Sequence, residues 1–339
     1  MRNFVNLVQT AIFLIFIACE IQSELNLRPV LGIITQKTSE VFEPLVPYNS
    51  TYIASSYVKF LEMAGAEVVP IISTWHKKRI ERVIRKVNGV LLPGGAAPFN
   101  ESSYWDASVI AYKVAVELND KGVYYPLFGI CLGFETLHEI IAEENSTSFF
   151  DSENLTIPLN FTQMAYKSRL FKDMSKELMQ SLLFDNITLN MHKMGVSTKT
   201  FQNNEKLKRM FQVLSTNLDR DGREFISTVE GIKYPFYGTQ WHPEKNIFEW
   251  TPFQAINHGP TAVKVTQHFA NFFVNEARRN KNKFASEEEL ESLLIMNYKL
   301  IWGAGVSAFG QIYIFQDETF LKIKKNKNLK KINSRIDNK

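Results

Sequence analysis

The sequence contains very little cysteine: Cys19 and Cys131 are the two cysteines among 339 residues. This scarcity excludes a small fold held together by disulfides, which needs many closely spaced cysteines. Internal repeats are also absent, which excludes a solenoid. Because 45% of the residues are hydrophobic and 22% are charged, the chain can bury a full globular core and is not a disordered protein.

A basic patch with interleaved aromatic residues is missing from the body of the chain. The formal net charge of +4 arises from residues 318–339, which hold eight basic and two acidic residues, and the remainder is slightly acidic. We therefore expect no nucleic-acid partner. We interpret residues 318–339 as a basic, disordered tail, with a membrane-surface contact as the alternative.

Hydrophobic runs long enough to cross a bilayer are missing as well. Residues 11–19 are apolar and follow Arg2, but they are too few for a span, so we interpret residues 1–23 as a signal peptide cleaved near Ser23. An uncleaved anchor is the alternative, against which Glu20 counts because it closes the apolar run. We expect no membrane span in the mature chain.

The chain carries six sequons for N-glycosylation, which is dense for a protein that never meets the glycosylation machinery. Their asparagines are Asn49, Asn100, Asn145, Asn154, Asn160 and Asn186. Removal of Cys19 with the signal peptide would leave Cys131 as the single cysteine of the mature chain. We therefore expect a secreted or lysosomal glycoprotein without an intramolecular disulfide.

Buried strands and amphipathic helices alternate along the first half of the chain, a pattern typical of a parallel sheet. The predicted strands are residues 30–35, 67–72, 89–93 and 124–128, and the predicted helices are residues 52–64, 77–86 and 104–118. The fold class is therefore predicted to be α/β: a doubly wound, mostly parallel central sheet flanked by helices. Residues 24–317 form one domain in this interpretation, with insertions, and we expect residues 145–160 to be an exposed insertion.

The second half of the chain is predicted to be of mixed α and β character, with a long amphipathic helix at residues 261–279. Residues 219–222 have the composition of a hairpin turn, and the last apolar patch covers residues 312–315.

Cys131 stands in the sequence Gly129-Ile-Cys-Leu-Gly133, between a predicted strand and a predicted helix. Such a sharp turn exposes a nucleophile, and glycines on both sides leave room for it. The helix start offers free amides and a partial positive charge, which favour a thiolate. An inert core cysteine is the alternative.

A nucleophilic thiol needs a general base, and His242 is the best placed of the six histidines. It ends a predicted strand in Gln240-Trp-His-Pro-Glu244, and Glu244 can orient its imidazole. His192 follows another predicted strand and either contacts substrate or lies in a surface loop. Gly95, in Pro93-Gly-Gly, lies at the sheet edge where ligands bind, although this tripeptide also suits an ordinary turn. We expect no metal, because the histidines lack ligand spacing.

These motifs, together with Leu92-Pro-Gly-Gly95, resemble the class I glutamine amidotransferase-like superfamily, whose sheet is flavodoxin-like. Four further stretches narrow the resemblance to the gamma-glutamyl hydrolase family, the folylpoly-gamma-glutamate carboxypeptidases. They are Tyr52-Ile-Ala-Ser-Ser-Tyr-Val-Lys59, Pro158-Leu-Asn-Phe-Thr162, Asn203-Asn-Glu-Lys-Leu-Lys208 and Phe225-Ile-Ser-Thr-Val-Glu-Gly231. The likeness runs from about residue 29 to residue 317.

The resemblance implies a role for each matching residue. Cys131 corresponds to the nucleophile, His242 to the catalytic histidine and Glu244 to its acidic companion. His192 corresponds to a cleft histidine, and the amides of Leu132 and Gly95 to an oxyanion hole. It also implies poly-gamma-glutamyl folates or antifolates as small-molecule substrates, a thioester intermediate, no cofactor and a homodimer.

The chain departs from glutamine amidotransferases at Phe134-Glu135, where many of them have a glutamine, and it lacks a synthase domain to receive ammonia. Both departures favour hydrolysis over amide transfer. Two alternatives remain open from the sequence: a glutaminase-like enzyme acting on free glutamine, and a binding glycoprotein that kept the fold without catalysis.

Overall fold

The computed structural model describes residues 25–42, 45–46, 50–303 and 307–316. The predicted signal peptide at residues 1–23, the predicted tail at residues 318–339 and the sequon asparagine Asn49 lie outside the described residues.

The strands of the described residues are numbered in chain order. They are β1 (Val30–Ile34), β2 (Gln36–Lys37), β3 (Thr51–Ala54), β4 (Glu67–Ile71), β5 (Val90–Leu92), β6 (Leu127–Ile130), β7 (Ser148–Ile157), β8 (Asn160–Phe161), β9 (Thr188–Gly195), β10 (Phe211–Leu218), β11 (Glu224–Gly231), β12 (Phe236–Thr239), β13 (Leu300–Trp302) and β14 (Gln311–Phe315).

The α-helices are numbered in the same way. They are α1 (Ser55–Glu62), α2 (Lys77–Ile84), α3 (Ser103–Asp120), α4 (Leu132–Ala142), α5 (Lys176–Phe184), α6 (Thr198–Asn203), α7 (Glu205–Met210), α8 (Lys245–Phe248), α9 (Pro260–Arg278) and α10 (Glu287–Glu291). Short 3-10 turns cover Glu40–Phe42, Ala165–Lys167 and Ile295–Asn297.

The central sheet has the strand order β4-β1-β5-β6-β12-β11-β10-β8. The strands from β4 to β12 are parallel, and β11, β10 and β8 extend the sheet in antiparallel pairing. The prediction of a mostly parallel sheet flanked by helices is confirmed. In such a sheet the carboxyl ends of β5, β6 and β12 lie side by side, where ligands of open α/β sheets bind.

Strand β1 shows why this sheet forms. All five of its residues are buried, as expected for a central strand with both faces covered. Leu31 and Ile33 pack into the core on one face together with α1 and α9. Val30 and Ile34 pack into the core on the other face with α2, α3 and α4. Because successive side chains of a strand point to opposite faces of the sheet, β1 contributes residues to both halves of the core.

The predicted exposed insertion at residues 145–160 contains a strand rather than only a loop. Strand β7 pairs antiparallel with β9, and we call this two-stranded unit the ribbon. The sequence does not predict this strand, because buried and exposed residues do not alternate regularly along β7. Among its residues only Phe150 and Ser152 are buried. The predicted helix at residues 52–64 is also shorter, because its first residues belong to β3.

A second, antiparallel sheet has the order β13-β14-β3-β2 and covers one side of the domain. Its strand β14 pairs with β3 from Ile312 opposite Ala54 to Phe315 opposite Thr51. The apolar patch predicted at residues 312–315 is therefore a strand that leads the end of the described chain back to the start of α1. Among the described residues, no helix is long and apolar enough to cross a membrane.

Candidate active site

Cys131 occupies the turn between β6 and α4 in a strained backbone conformation. Its φ of 52° and ψ of −110° are rarely adopted by a residue with a side chain. The flanking glycines permit this turn: a Cβ on Gly129 would lie 2.5 Å from the Gly133 carbonyl oxygen, and one on Gly133 would lie 2.0 Å from the Leu92 carbonyl oxygen. The backbone N–H of Cys131 donates to the Thr239 carbonyl at 2.8 Å, which fixes the turn to β12.

His242 and Glu244 follow β12, whose carboxyl end lies beside that of β6. The Nδ1–H of His242 donates to Glu244 Oε1 at 2.7 Å, and both side chains are buried. This bond fixes the tautomer that leaves Nε2 as a proton acceptor. Neither His242 Nε2 nor Glu244 Oε2 has a hydrogen-bond partner among the described residues. The pair therefore presents a free imidazole nitrogen beside the turn at Cys131 between β6 and α4, which we call the elbow.

Gly94 and Tyr57 hold the thiol and the imidazole close together, and the sequence alone does not identify either residue as part of the site. A Cβ on Gly94 would meet Tyr57 Oη at 2.6 Å, His242 Cε1 at 2.9 Å and Cys131 Cβ at 3.2 Å. The Gly94 N–H donates to Tyr57 Oη at 3.0 Å, and that oxygen lies 3.4 Å from His242 Nδ1. The Pro-Gly-Gly tripeptide was the available signal for Gly94, whereas nothing local marks Tyr57.

The protonation state of the thiol differs from the expectation that the helix start favours a thiolate. Burial raises the pKa of Cys131 well above its ordinary value, and the carboxylates of Glu135 and Glu244 add to the rise. The Leu132 amide and Lys245 act in the opposite direction but do not outweigh these effects. The free enzyme thus holds a thiol, which needs a base at the moment of attack.

The pKa of the Glu244 carboxyl is shifted in the opposite direction to the pKa of Cys131. Burial opposes its ionisation, but the charge interaction and hydrogen bond with His242 outweigh burial, so its pKa lies below the ordinary value. A carboxylate at this position stabilises the imidazolium that forms when His242 accepts a proton.

Glu135 is a buried carboxyl beneath the elbow, one helical turn after Cys131. Burial raises its pKa to about 8, although a hydrogen bond donated by Gln240 Nε2 at 2.8 Å works against the rise. Glu135 is therefore neutral over most of the physiological range. Once ionised, it would oppose formation of the thiolate.

Because Glu135 is buried, we expect the free energy of unfolding to depend on pH. The unfolded chain ionises Glu135 near pH 4.5 and the folded chain near pH 8, so unfolding releases a proton between these values and stability falls as pH rises. Glu135→Gln should remove this loss, at most about 5 kcal/mol by pH 8. Urea unfolding at pH 5 and pH 8 measures the difference between wild type and variant. Identical pH slopes for the two proteins would contradict the prediction, and Glu101→Gln, at an exposed position, serves as a control.

The predicted oxyanion-hole amides belong to Leu132, which follows Cys131 in the chain, and to Gly95, which lines a cavity that Cys131 also lines. Leu132 is the first residue of α4, and its backbone amide acts to lower the pKa of the Cys131 thiol. Gly95 follows β5 and lies against Gln36, whose Nε2 donates to the Gly94 carbonyl at 2.8 Å. The role of both amides stays a prediction.

His192 is buried in the ribbon and has partners on both ring nitrogens. Its Nδ1 lies 2.7 Å from the Met194 carbonyl oxygen and its Nε2 lies 3.1 Å from Asn190 Oδ1. Burial lowers its pKa to about 3, so the ring is neutral. Substrate contact by His192 stays a prediction.

A cavity of about 260 Å³ opens at the thiol and joins four parts of the chain. It is lined by Cys131 and His242, by Glu153 and Met191 of the ribbon, and by Phe309 near the end of the described chain. Lys245, the residue directly after Glu244, also lines it. The arrangement suits covalent catalysis on a small polar substrate.

Comparison with known proteins places these features in a family. The family model described as Peptidase C26 matches residues 29–244. The chain is 44% identical over 289 residues to gamma-glutamyl hydrolase of Homo sapiens, covering 85% of this chain and 90% of that protein. It is 39% identical over 297 residues to gamma-glutamyl hydrolase B of Dictyostelium discoideum, covering 87% of this chain and 85% of that protein.

Among solved structures, the glutaminase domain of Trypanosoma brucei CTPS with bound acivicin is similar to this chain. The TM-score is 0.50 at 14% sequence identity, and the match covers 76% of this chain and 98% of that domain. At this identity the likeness bears on the fold alone, and it agrees with the predicted glutamine amidotransferase-like sheet.

Proposed function

Because the chain belongs to the peptidase C26 family, we propose that it is a gamma-glutamyl hydrolase that cleaves γ-glutamyl bonds with Cys131 as nucleophile. The observation that carries this proposal is the strained elbow, which presents a thiol beside the His242–Glu244 pair. The five residues predicted for catalysis and the oxyanion hole all lie within residues 29–244, the part matched by the family model.

The proposed reaction is acyl transfer through a thioester. His242 Nε2 accepts the thiol proton while the sulfur forms a bond to the γ-carbonyl carbon, and the amides of Leu132 and Gly95 hold the developing oxyanion. The carbon–nitrogen bond then breaks, and the imidazolium gives its proton to the departing amine. Water next attacks the thioester, loses a proton to His242 and releases the γ-carboxylate and the thiol.

The proposed substrates are folates or antifolates with a poly-γ-glutamyl tail. A second cavity of about 670 Å³ supports an aromatic substrate, because Trp250, Phe253 and Trp302 line it and all three are largely exposed. Phe309 lines both this cavity and the one at the thiol. A planar ring could stack in the larger cavity while a glutamyl residue reaches Cys131.

Incubation with matched glutamyl peptides tests the function. We expect the mature chain to cleave γ-glutamyl-glutamate and to leave its α-linked isomer intact, with products followed by mass spectrometry. Failure to cleave the γ-linked peptide would overturn the proposal. Release of ammonia from free glutamine would instead favour the glutaminase-like alternative.

We further propose a secreted or lysosomal, glycosylated homodimer. Support comes from the predicted signal peptide, from the family resemblance and from the exposed asparagines of the described sequons. Those asparagines are Asn100, Asn145, Asn154, Asn160 and Asn186. Light scattering on protein collected from the medium of a eukaryotic host, before and after enzymatic glycan removal, measures both properties. A monomer mass or an unchanged mass would contradict the corresponding part.

A further inference from the structure

The loop between α8 and α9, residues 249–259, borders both cavities of the site and has little packing of its own. Residues 250–259 are all half-buried or exposed, and Phe253 is 83% exposed. Gln254 lines the cavity at the thiol, whereas Phe253 lines the larger aromatic cavity. Because an apolar core does not fix this loop, its position depends on hydrogen bonds to other segments.

Two side chains of strand β7 hold the α8–α9 loop. Asn154 Oδ1 accepts a hydrogen bond from the Ala255 N–H at 2.6 Å, and Asn154 Nδ2 donates to the Phe253 carbonyl at 3.3 Å. Thr156 Oγ1 donates to the Ala255 carbonyl. The side-chain amide of Asn154 thus pairs with two residues that are two positions apart, as a residue of a parallel strand does. We call these contacts of Asn154 and Thr156 the clasp.

The backbone of the ribbon directs Asn154 toward this loop. The pairing of β7 with β9 shifts register between Glu153 and Leu155, so Asn154 lies at a bulge. Its φ of 56° is left-handed, a conformation that asparagine tolerates better than most residues. Bulges re-aim side chains and recur next to active sites. Glu153 and Gln254 both line the cavity at the thiol, so the clasp joins the neighbours of two lining residues.

We propose that Asn154 is a positioning residue that fixes the α8–α9 loop where it lines both cavities, and that the active enzyme therefore carries no glycan on Asn154. This inference rests on the proposed function. Asn154 and Thr156 are the asparagine and the threonine of one sequon. An N-glycan is attached to Nδ2, the atom that already faces the Phe253 carbonyl. A bulky sugar there competes with the loop for the same space, so the proposed glycosylation falls on the other sequons.

Kinetics of a folate that carries two γ-linked glutamyl residues test the positioning role. Asn154→Gly removes the side-chain contacts but suits the left-handed backbone. We expect it to raise KM about 10-fold and to change kcat by less than about 3-fold, because the loop holds substrate and not the reacting atoms. Thr156→Val should also raise KM, whereas Thr156→Ser keeps the hydroxyl and should retain the KM of wild type. The matched control is Asn100→Gly, which should leave both constants unchanged: Asn100 also begins a sequon and has a φ of 62°, but it lines a different cavity.

Limited proteolysis tests the clasp without turnover. Chymotrypsin cleaves after aromatic residues, and Phe253 is exposed on the loop. We expect cleavage after Phe253 to be about 10-fold faster in Asn154→Gly than in wild type or Asn100→Gly, with midpoints of thermal unfolding within a few degrees of one another. Mass spectrometry of peptides from enzyme made in a eukaryotic host should find Asn154 unmodified.

The outcomes separate the clasp from the proposed function. If wild type cleaves no γ-glutamyl substrate, the proposed function fails, and proteolysis still decides whether Asn154 fixes the loop. A fall in kcat at unchanged KM in Asn154→Gly would indicate loss of folded enzyme and would overturn the inference. Equal rates of cleavage after Phe253 in wild type and Asn154→Gly, or a glycan on Asn154 in most molecules of the active enzyme, would also overturn it.

Discussion

Replacement of Cys131 by alanine is expected to abolish hydrolysis of γ-glutamyl peptides, lowering kcat by about 10⁴-fold or more. The thiol supplies the atom that becomes bonded to the substrate, so no other group in the cavity can replace it. Release of glutamate from γ-glutamyl-glutamate by wild type and Cys131→Ala, followed by mass spectrometry, measures the effect.

The structure predicts that this variant stays folded. Alanine adopts the φ of 52° at the elbow with no more strain than cysteine, and the sulfur makes a small part of the core. The midpoint of thermal unfolding should therefore change by only a few degrees. Substantial activity in a folded Cys131→Ala protein would mean that the elbow does not carry the nucleophile.

The second large effect is expected for Glu244→Gln. A neutral amide in place of the carboxylate no longer stabilises the imidazolium of His242 and can donate to Nδ1, which would favour the tautomer with Nε2 protonated. A comparable change in a serine protease lowers kcat by about 10⁴-fold, and we expect a loss of at least 10²-fold here. The reduction should appear in kcat rather than in KM, because the charge on His242 forms during reaction.

Glu249→Gln provides the matched control for this prediction. Glu249 is also buried and lies on the same segment, but its carboxylate accepts a hydrogen bond from the Gly310 N–H and does not contact His242. Its replacement should change kcat only a few-fold. If Glu244→Gln and Glu249→Gln lost activity equally, the loss would come from removing any buried negative charge or from altered packing, and not from the contact of Glu244 with His242.

The sequence predicts the parallel sheet and the elbow because their signals are local. A buried apolar strand, two glycines at fixed offsets and a helix are contained within residues 124–142, and His242 likewise ends a recognisable strand before a proline. Their meeting follows from the parallel pairing of β6 with β12. Such a sheet brings carboxyl ends together whatever lies between them in the sequence.

Other parts of the site could not be predicted because they depend on contacts between distant residues. Tyr57 reaches His242 only after α1 packs against α8, the helix that follows Glu244, and the pairing of β14 with β3 depends on a partner far away in the sequence. The raised pKa of Cys131 also depends on contacts between residues that are distant in the sequence. The helix start is visible in the sequence, whereas burial and the approach of Glu244 are properties of the folded chain.

The pairing of β14 with β3 also bears on when the enzyme can become competent during its synthesis. Residues 311–315 leave the ribosome last among the described elements, yet they pair with a strand at the start of the domain, and neighbouring Phe309 forms a wall of the cavity. Since domains fold as their residues emerge, the sheet and the elbow can assemble before this wall exists. Completion of the cavity is thus coupled to the synthesis of β14, so a nascent chain that still lacks these residues does not hold a finished active site.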